Sequence, residues 1–189
     1  MTSVLISGDT RLIDDVATAL GNSGTAVTRA DRLEDLAEVC AQAGPAYFDA
    51  YVQLPASFTM SGPTAIDRVH HFYAYGVLAR FDALRDVLPS LRPTSRVVFV
   101  LGQLPGEVAT QDDRNARQAL VRVLAHAATA DFKEGRITTS IQESGVAAPD
   151  IADIALGTNR EHDALLSRFA GLDYNDRRVE LIGLVGAKG

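Results

Sequence analysis

The chain has 189 residues, 47% of them hydrophobic and 22% charged, with a formal net charge of −6. That length suits one domain able to bury most of its apolar surface without staples. The acidic balance argues against a nucleic-acid or anionic-membrane surface, since neither gains from an acidic partner. One cysteine, Cys40, rules out an intramolecular disulfide and a cysteine zinc site. It falls in a helical pattern, where a free thiol behaves as a small hydrophobe more often than as a reactive group. No apolar run approaches the ~20 residues needed to cross a bilayer. The first residues enter a strand pattern with no signal-like segment, so cytoplasmic residence is the expectation.

Val4-Leu5-Ile6-Ser7, closed by Gly8, has the pattern of a buried parallel strand. Arg11 to Leu20 places Leu12, Ile13, Val16, Ala17 and Leu20 at helical spacing, with Gly21 and Gly24 as stops. Thr25 to Thr28 reads as a second strand and Leu33 to Ala43 as a second helix, with Leu33, Leu36, Ala37 and Cys40 on one face. Phe48 to Leu54 is the next strand, closed by Pro55, and Ala65 to Leu88 a long helix ended by Pro89. Arg96 to Leu101 is the strongest strand pattern of all. Beyond it, Gln111 to Ala130 reads as helix, Arg136 to Ile141 as strand, Arg160 to Leu172 as helix and Val179 to Val185 as the last strand. Strands alternating with helices predict a single Rossmann-like, doubly wound α/β domain with a parallel sheet of about six strands.

The order of elements resembles the short-chain dehydrogenase/reductase family. Val4 to Leu20 is similar to its first strand, phosphate turn and first helix. Phe48 to Pro55 sits where that family runs a strand into Asn-Asn-Ala-Gly. Asp86-Val87-Leu88-Pro89 before Arg96 to Val100 resembles its helix-proline-strand passage, and Tyr174 to Gly183 its final strand. The resemblance covers nearly the whole chain and implies a dinucleotide at a Thr-Gly-x-x-x-Gly-x-Gly turn, where glycines let the backbone approach the phosphates.

Against that pattern the working parts are degenerate. The turn here is Ser7-Gly8-Asp9-Thr10-Arg11-Leu12-Ile13-Asp14. Leu12 adds a side chain where backbone should meet phosphate, and Asp14 and Asp9 add negative charge, with Arg11 only partly compensating. Between the second strand and Phe48 there is room for one helix, so a strand that helps wall the family's adenine pocket is missing. Asp31 is therefore read as an acid favoured by a helix N-terminus rather than as a ribose ligand. The family's Tyr, Lys and Ser act as general acid/base, its electrostatic support and the carbonyl-orienting group. Their positions fall on Arg114, Gln118 and near Gly102, with the supporting Asn near Gly76. An arginine stays protonated and cannot replace a tyrosine acid/base. The segment between the Arg136–Ile141 strand and the Arg160–Leu172 helix is short where the family carries a substrate lid.

The expectation is therefore an SDR-like subunit with no cofactor, no metal and no catalytic residues of its own. It would assemble with an active short-chain dehydrogenase, as a heterodimer or heterotetramer, or with itself. In such a complex the partner would act on a hydroxy/keto substrate, for example an acyl-CoA. The candidate interface comprises Phe72, Tyr73, Tyr75 and Phe81, with Leu120 and Leu124 from the following helix; the competing reading has the four rings covering the sheet. Two alternatives stay open. One is a ligand-binding or regulatory module without redox chemistry. The other is an atypical enzyme using Asp112, Asp113 and Arg114, with Tyr73, although Asp112 and Asp113 also suit a solvated helix start. His70 and His71 are adjacent, so on a helix they point apart and share a metal poorly.

Overall fold

The computed structural model describes residues 1–8, 11–55, 61–101, 138–143, 146–159 and 179–181. Its strands are β1 (Ser3–Ser7), β2 (Ala26–Ala30), β3 (Phe48–Gln53), β4 (Leu91–Leu101), β5 (Thr138–Glu143) and β6 (Val179–Leu181). They form one sheet in the order β2-β1-β3-β4-β5-β6, and every pairing is parallel. The helices are α1 (Leu12–Asn22), α2 (Leu36–Ala43), α3 (Ala65–His71), α4 (Ala79–Val87) and α5 (Ala148–Leu156).

Burial on both faces explains the unbroken apolar runs. All five residues of β1 are buried, and its side chains alternate between two cores. Leu5 joins Tyr51, Val97 and Phe99 beneath α2 and α4, with Leu36, Cys40, Leu84 and Val87 supplying the helical side. Val4 and Ile6 join Val52, Val98 and Val100 on the opposite face, covered by Ile13, Val16 and Leu20 of α1 and by Ile151, Ala152, Ile154 and Ala155 of α5. Cys40 is buried in the first core, and burial pushes its thiol pKa up, which suits the hydrophobe reading.

Three boundaries differ from the sequence reading for identifiable reasons. The long helix is interrupted: between α3 and α4, Phe72–Leu78 winds as a π-helix. The wider turn rotates everything after it relative to a constant 3.6-residue period. Helix α5 lies in the segment between the expected Arg136–Ile141 strand and Arg160–Leu172 helix, which is read above only as short. Pro149 takes its first turn, where a missing N–H costs nothing, and Gly157 ends it in the left-handed region at φ 70°. β4 starts at Leu91, five residues earlier than its apolar run, since Leu91 pairs with Phe48 before the register shifts.

Between β2 and β3 the chain forms only a short 3-10 turn (Leu33–Asp35) and α2. No strand intervenes, as expected, and β2 is left at the sheet edge. The expected helices Gln111–Ala130 and Arg160–Leu172 lie outside the described residues. No helix among the described residues is long and apolar enough to cross a membrane.

Candidate functional site

In a doubly wound sheet a ligand binds beyond the carboxyl ends of the strands, where successive connections leave in opposite directions. The strand order puts that point between β1 and β3. β1 ends at Ser7, opposite Gln53, the last residue of β3. Here the chain closes on itself. Gly8 has φ 142°, and a Cβ at that position would stand 2.9 Å from Leu54 Cβ and 3.0 Å from the Pro55 carbonyl oxygen. Only glycine gives the strand end after β1 both its backbone angle and its close approach to β3.

On the α4 side of the same edge lies a polar chain that no local sequence pattern announces. Ser7, Tyr51 and Gln53 are fully buried. Ser7 Oγ and Tyr51 OH share a hydrogen bond of 2.8 Å, and Gln53 Nε2 donates to Tyr51 OH at 3.0 Å. The same Gln53 amide donates to the Arg80 carbonyl at 2.7 Å and accepts from Arg80 Nε at 3.0 Å. Arg80 then reaches across two strand ends, donating to the carbonyls of Leu54 at 3.2 Å and Val100 at 3.0 Å, with a longer contact to Gln53 O at 3.4 Å. One planar guanidinium thus ties α4 to β3 and β4. Burial pushes the Tyr51 phenol up to about 12, the bonds from Ser7 and Gln53 opposing it only in part. A phenol so placed is a structural donor and acceptor, far from the poise of an acid/base working near neutral pH.

The phosphate turn can be followed in part, since Asp9 and Thr10 lie outside the described residues. Leu12 is half-buried and packs on the core beneath α1. Asp14 stands at the start of α1, where it and Asp15 complement the helix dipole. Arg29 donates to Asp14 at 2.7 Å and to Asp31 at 3.1 Å, so one guanidinium bridges the start of α1 and the residue just beyond β2. Asp31 is an ion-pair partner here. The acid in the first turn of the 3-10 segment is Glu34, with Asp35, and both pair with Arg32.

The aromatic residues of the long helix separate into two groups. Phe72, Tyr73 and Phe81 are partly buried against the core under α2 and α4, with Phe81 stacked on Phe99 at 5.0 Å between centroids. Tyr75 is 64% exposed, joined by Ile66 at 69%, Val69 at 49% and Leu78 at 42%. These three aliphatic residues were missed because aromatic density dominated the sequence signal. A capping box fixes the start of the segment: Thr64 Oγ1 accepts from the Asp67 N–H at 3.1 Å and the Asp67 carboxylate accepts from the Thr64 N–H at 3.0 Å. Beside it, Ser61, Pro63, Asp67, His70, His71, Ala74 and Tyr75 line an open depression of about 380 Å³. His71 lies against the Tyr75 ring at 4.8 Å, and the Ser61 N–H points to His71 Nδ1 at 3.4 Å. Among the described residues no group of three His, Cys, Asp or Glu is placed to hold a metal ion. Gly76, the expected Asn position, lies within the π-helical turn. Gly102, Asp112, Asp113, Arg114, Gln118, Leu120 and Leu124 lie outside the described residues.

No protein-family model matches the chain, and no curated protein matches it. Solved structures do. A variant of a short-chain dehydrogenase/reductase from Serratia marcescens matches with a TM-score of 0.59 and 15% identity, over 96% of this chain and 95% of that one. A carbonyl reductase from Pseudomonas aeruginosa PAO1 matches with a TM-score of 0.61 and 16% identity, over 84% of this chain and 94% of that one. A further small-chain dehydrogenase matches with a TM-score of 0.60 and 16% identity, over 84% and 90%. At such identities the likeness is one of fold, and the chain has the Rossmann-like fold of the short-chain dehydrogenases.

Proposed function

We propose that this chain is a degenerate, non-catalytic member of the short-chain dehydrogenase/reductase superfamily that assembles with an active dehydrogenase and supports its structure. The observation that carries the partner half of this reading is the outer face of the long helix. Ile66, Val69, Tyr75 and Leu78 leave large apolar side chains in water on a segment of thirteen residues, while its other rings already serve the core. Exposed aliphatic and aromatic atoms of this kind, here interspersed with Arg68 and His70, are what a protein interface buries. The loss of catalysis rests on the strand ends. Asp14 adds a carboxylate where a pyrophosphate would need donors, Arg29 holds both it and Asp31, the acid placed to meet a ribose, and Arg80 with Gln53 spans β3 and β4. The sequence at Arg114 and Gln118 offers no replacement for a Tyr and Lys pair.

The test is purification of the chain from native extract, followed by native mass spectrometry. A complex containing a chain with a glycine-rich turn and a Tyr-x-x-x-Lys pair is expected. The double variant Tyr75→Asp, Leu78→Asp is expected to release that chain without moving the melting temperature of the subunit. Isolation of this chain with no dehydrogenase attached would overturn the partner half, and NAD(P)H turnover by the chain alone would overturn the other.

A further inference from the structure

The edge strand β2 carries an inference that does not depend on the helix face. Hydrogen bonding along β2 is resolved at both ends: the Ala26 N–H donates to the Thr2 carbonyl at 2.9 Å and the Ala30 carbonyl accepts from the Gly8 N–H at 3.2 Å. In a parallel ladder the N–H and C=O of one residue face the same neighbour and alternate residues face opposite sides. Ala26, Thr28 and Ala30 therefore spend their backbone groups on β1, and Val27 and Arg29 turn theirs outward. Among the described residues no strand covers the edge.

Exposed edges are usually guarded by a charge, and here the guard is occupied. Arg29 is held by Asp14 and Asp31 of its own chain, so its side chain lies along the α1 side of the strand with its charge compensated. The remaining edge is self-complementary. Antiparallel pairing about a twofold axis at Thr28 sets Val27 opposite Arg29 of the second copy and Arg29 opposite its Val27. All four outward N–H and all four outward C=O groups are then used. No like charges stand directly opposite, and the small Ala26 meets Ala30. Registers centred on Val27 or Arg29 would use half as many bonds, and the latter would set two arginines face to face.

We propose that a second copy of this chain docks antiparallel on β2, joining two sheets into one across the axis at Thr28. The helix face stays open in this dimer, so two copies could carry two dehydrogenase subunits outward.

Cysteine crosslinking under mild oxidation tests it on the full chain. Thr28 faces its own copy in a non-hydrogen-bonded pair, where Cα atoms lie about 4.5 Å apart, within the roughly 4.4–6.8 Å span of a disulfide. Thr28→Cys is expected to give a covalent dimer at least tenfold faster than Val27→Cys, which faces Arg29, and than the parent chain with its buried Cys40. Val27→Pro removes an outward donor, together with part of the Val27 packing on the core beneath α1, and is expected to give a monomer by light scattering with its circular dichroism kept. Equal crosslinking of Thr28→Cys and Val27→Cys, or a monomeric parent chain, overturns the proposal. If Val27→Pro fails to fold, the ratio of the two cysteine variants decides alone.

Discussion

Arg80 is the strongest single anchor at the carboxyl edge of the sheet, and its removal gives a measurable figure. Three of its bonds are well formed, to Gln53 Oε1, Leu54 O and Val100 O, at 3.0, 3.2 and 3.0 Å. A hydrogen bond from a charged donor contributes about 1.5–3 kcal/mol, less when several share one group. Arg80→Met keeps much of the stem and deletes all of them. It also leaves the buried Gln53 carbonyl oxygen without its donor, so a loss of roughly 3 kcal/mol is expected. For a domain of this size each kcal/mol moves the melting temperature by about 2–4 °C, so circular dichroism should show a fall of roughly 6–12 °C. Arg80→Lys restores one point charge without the planar fork and should recover less than half of the loss. A melting temperature for Arg80→Met within 2 °C (about 1 kcal/mol or less) of the parent refutes the claim that this side chain ties α4 to β3 and β4.

Three other outcomes follow from the same geometry. Gly8→Ala should cost about 2–4 kcal/mol in urea unfolding, because strained backbone and the contact with Leu54 act together; a change below 1 kcal/mol contradicts the close approach. Tyr51 has a folded pKa near 12, above that of an exposed phenol, so the folded chain holds a proton that the unfolded chain releases. Stability is then intact below pH ~10 and falls as the pH rises from there through the folded value; Tyr51→Phe should flatten that alkaline slope, and an unchanged slope rejects the assignment. Thr64→Ala removes the capping box and should lower stability by about 1 kcal/mol, read by the same urea titration, where no change would mean that the helix start is frayed.

The sheet was legible because parallel strands buried on both faces are written as short apolar runs with clear stops, as at Val4 to Gly8 and Phe48 to Pro55. The absent strand before Phe48 was legible too, since seventeen residues from Asp31 to Tyr47 hold only one helix and its turns. What escaped had a physical reason in each case. The π-helical turn at Phe72–Leu78 breaks the period on which face assignments depend, so Phe72, Tyr73 and Phe81 could not be separated from Tyr75 by counting. Helix α5 has only nine residues, too few turns to set a clear period, and opens on a Pro149 that suits a first turn and a loop alike. The Ser7–Tyr51–Gln53–Arg80 chain joins residues up to 44 positions apart, and such contacts leave no local signature.

The proposal that the chain serves as a partner subunit without redox chemistry of its own is tested most directly by native mass spectrometry of the chain purified from native extract. A defined heteromer that loses the dehydrogenase on Tyr75→Asp, Leu78→Asp is the predicted result. A spectrum containing this chain with no dehydrogenase attached would contradict it.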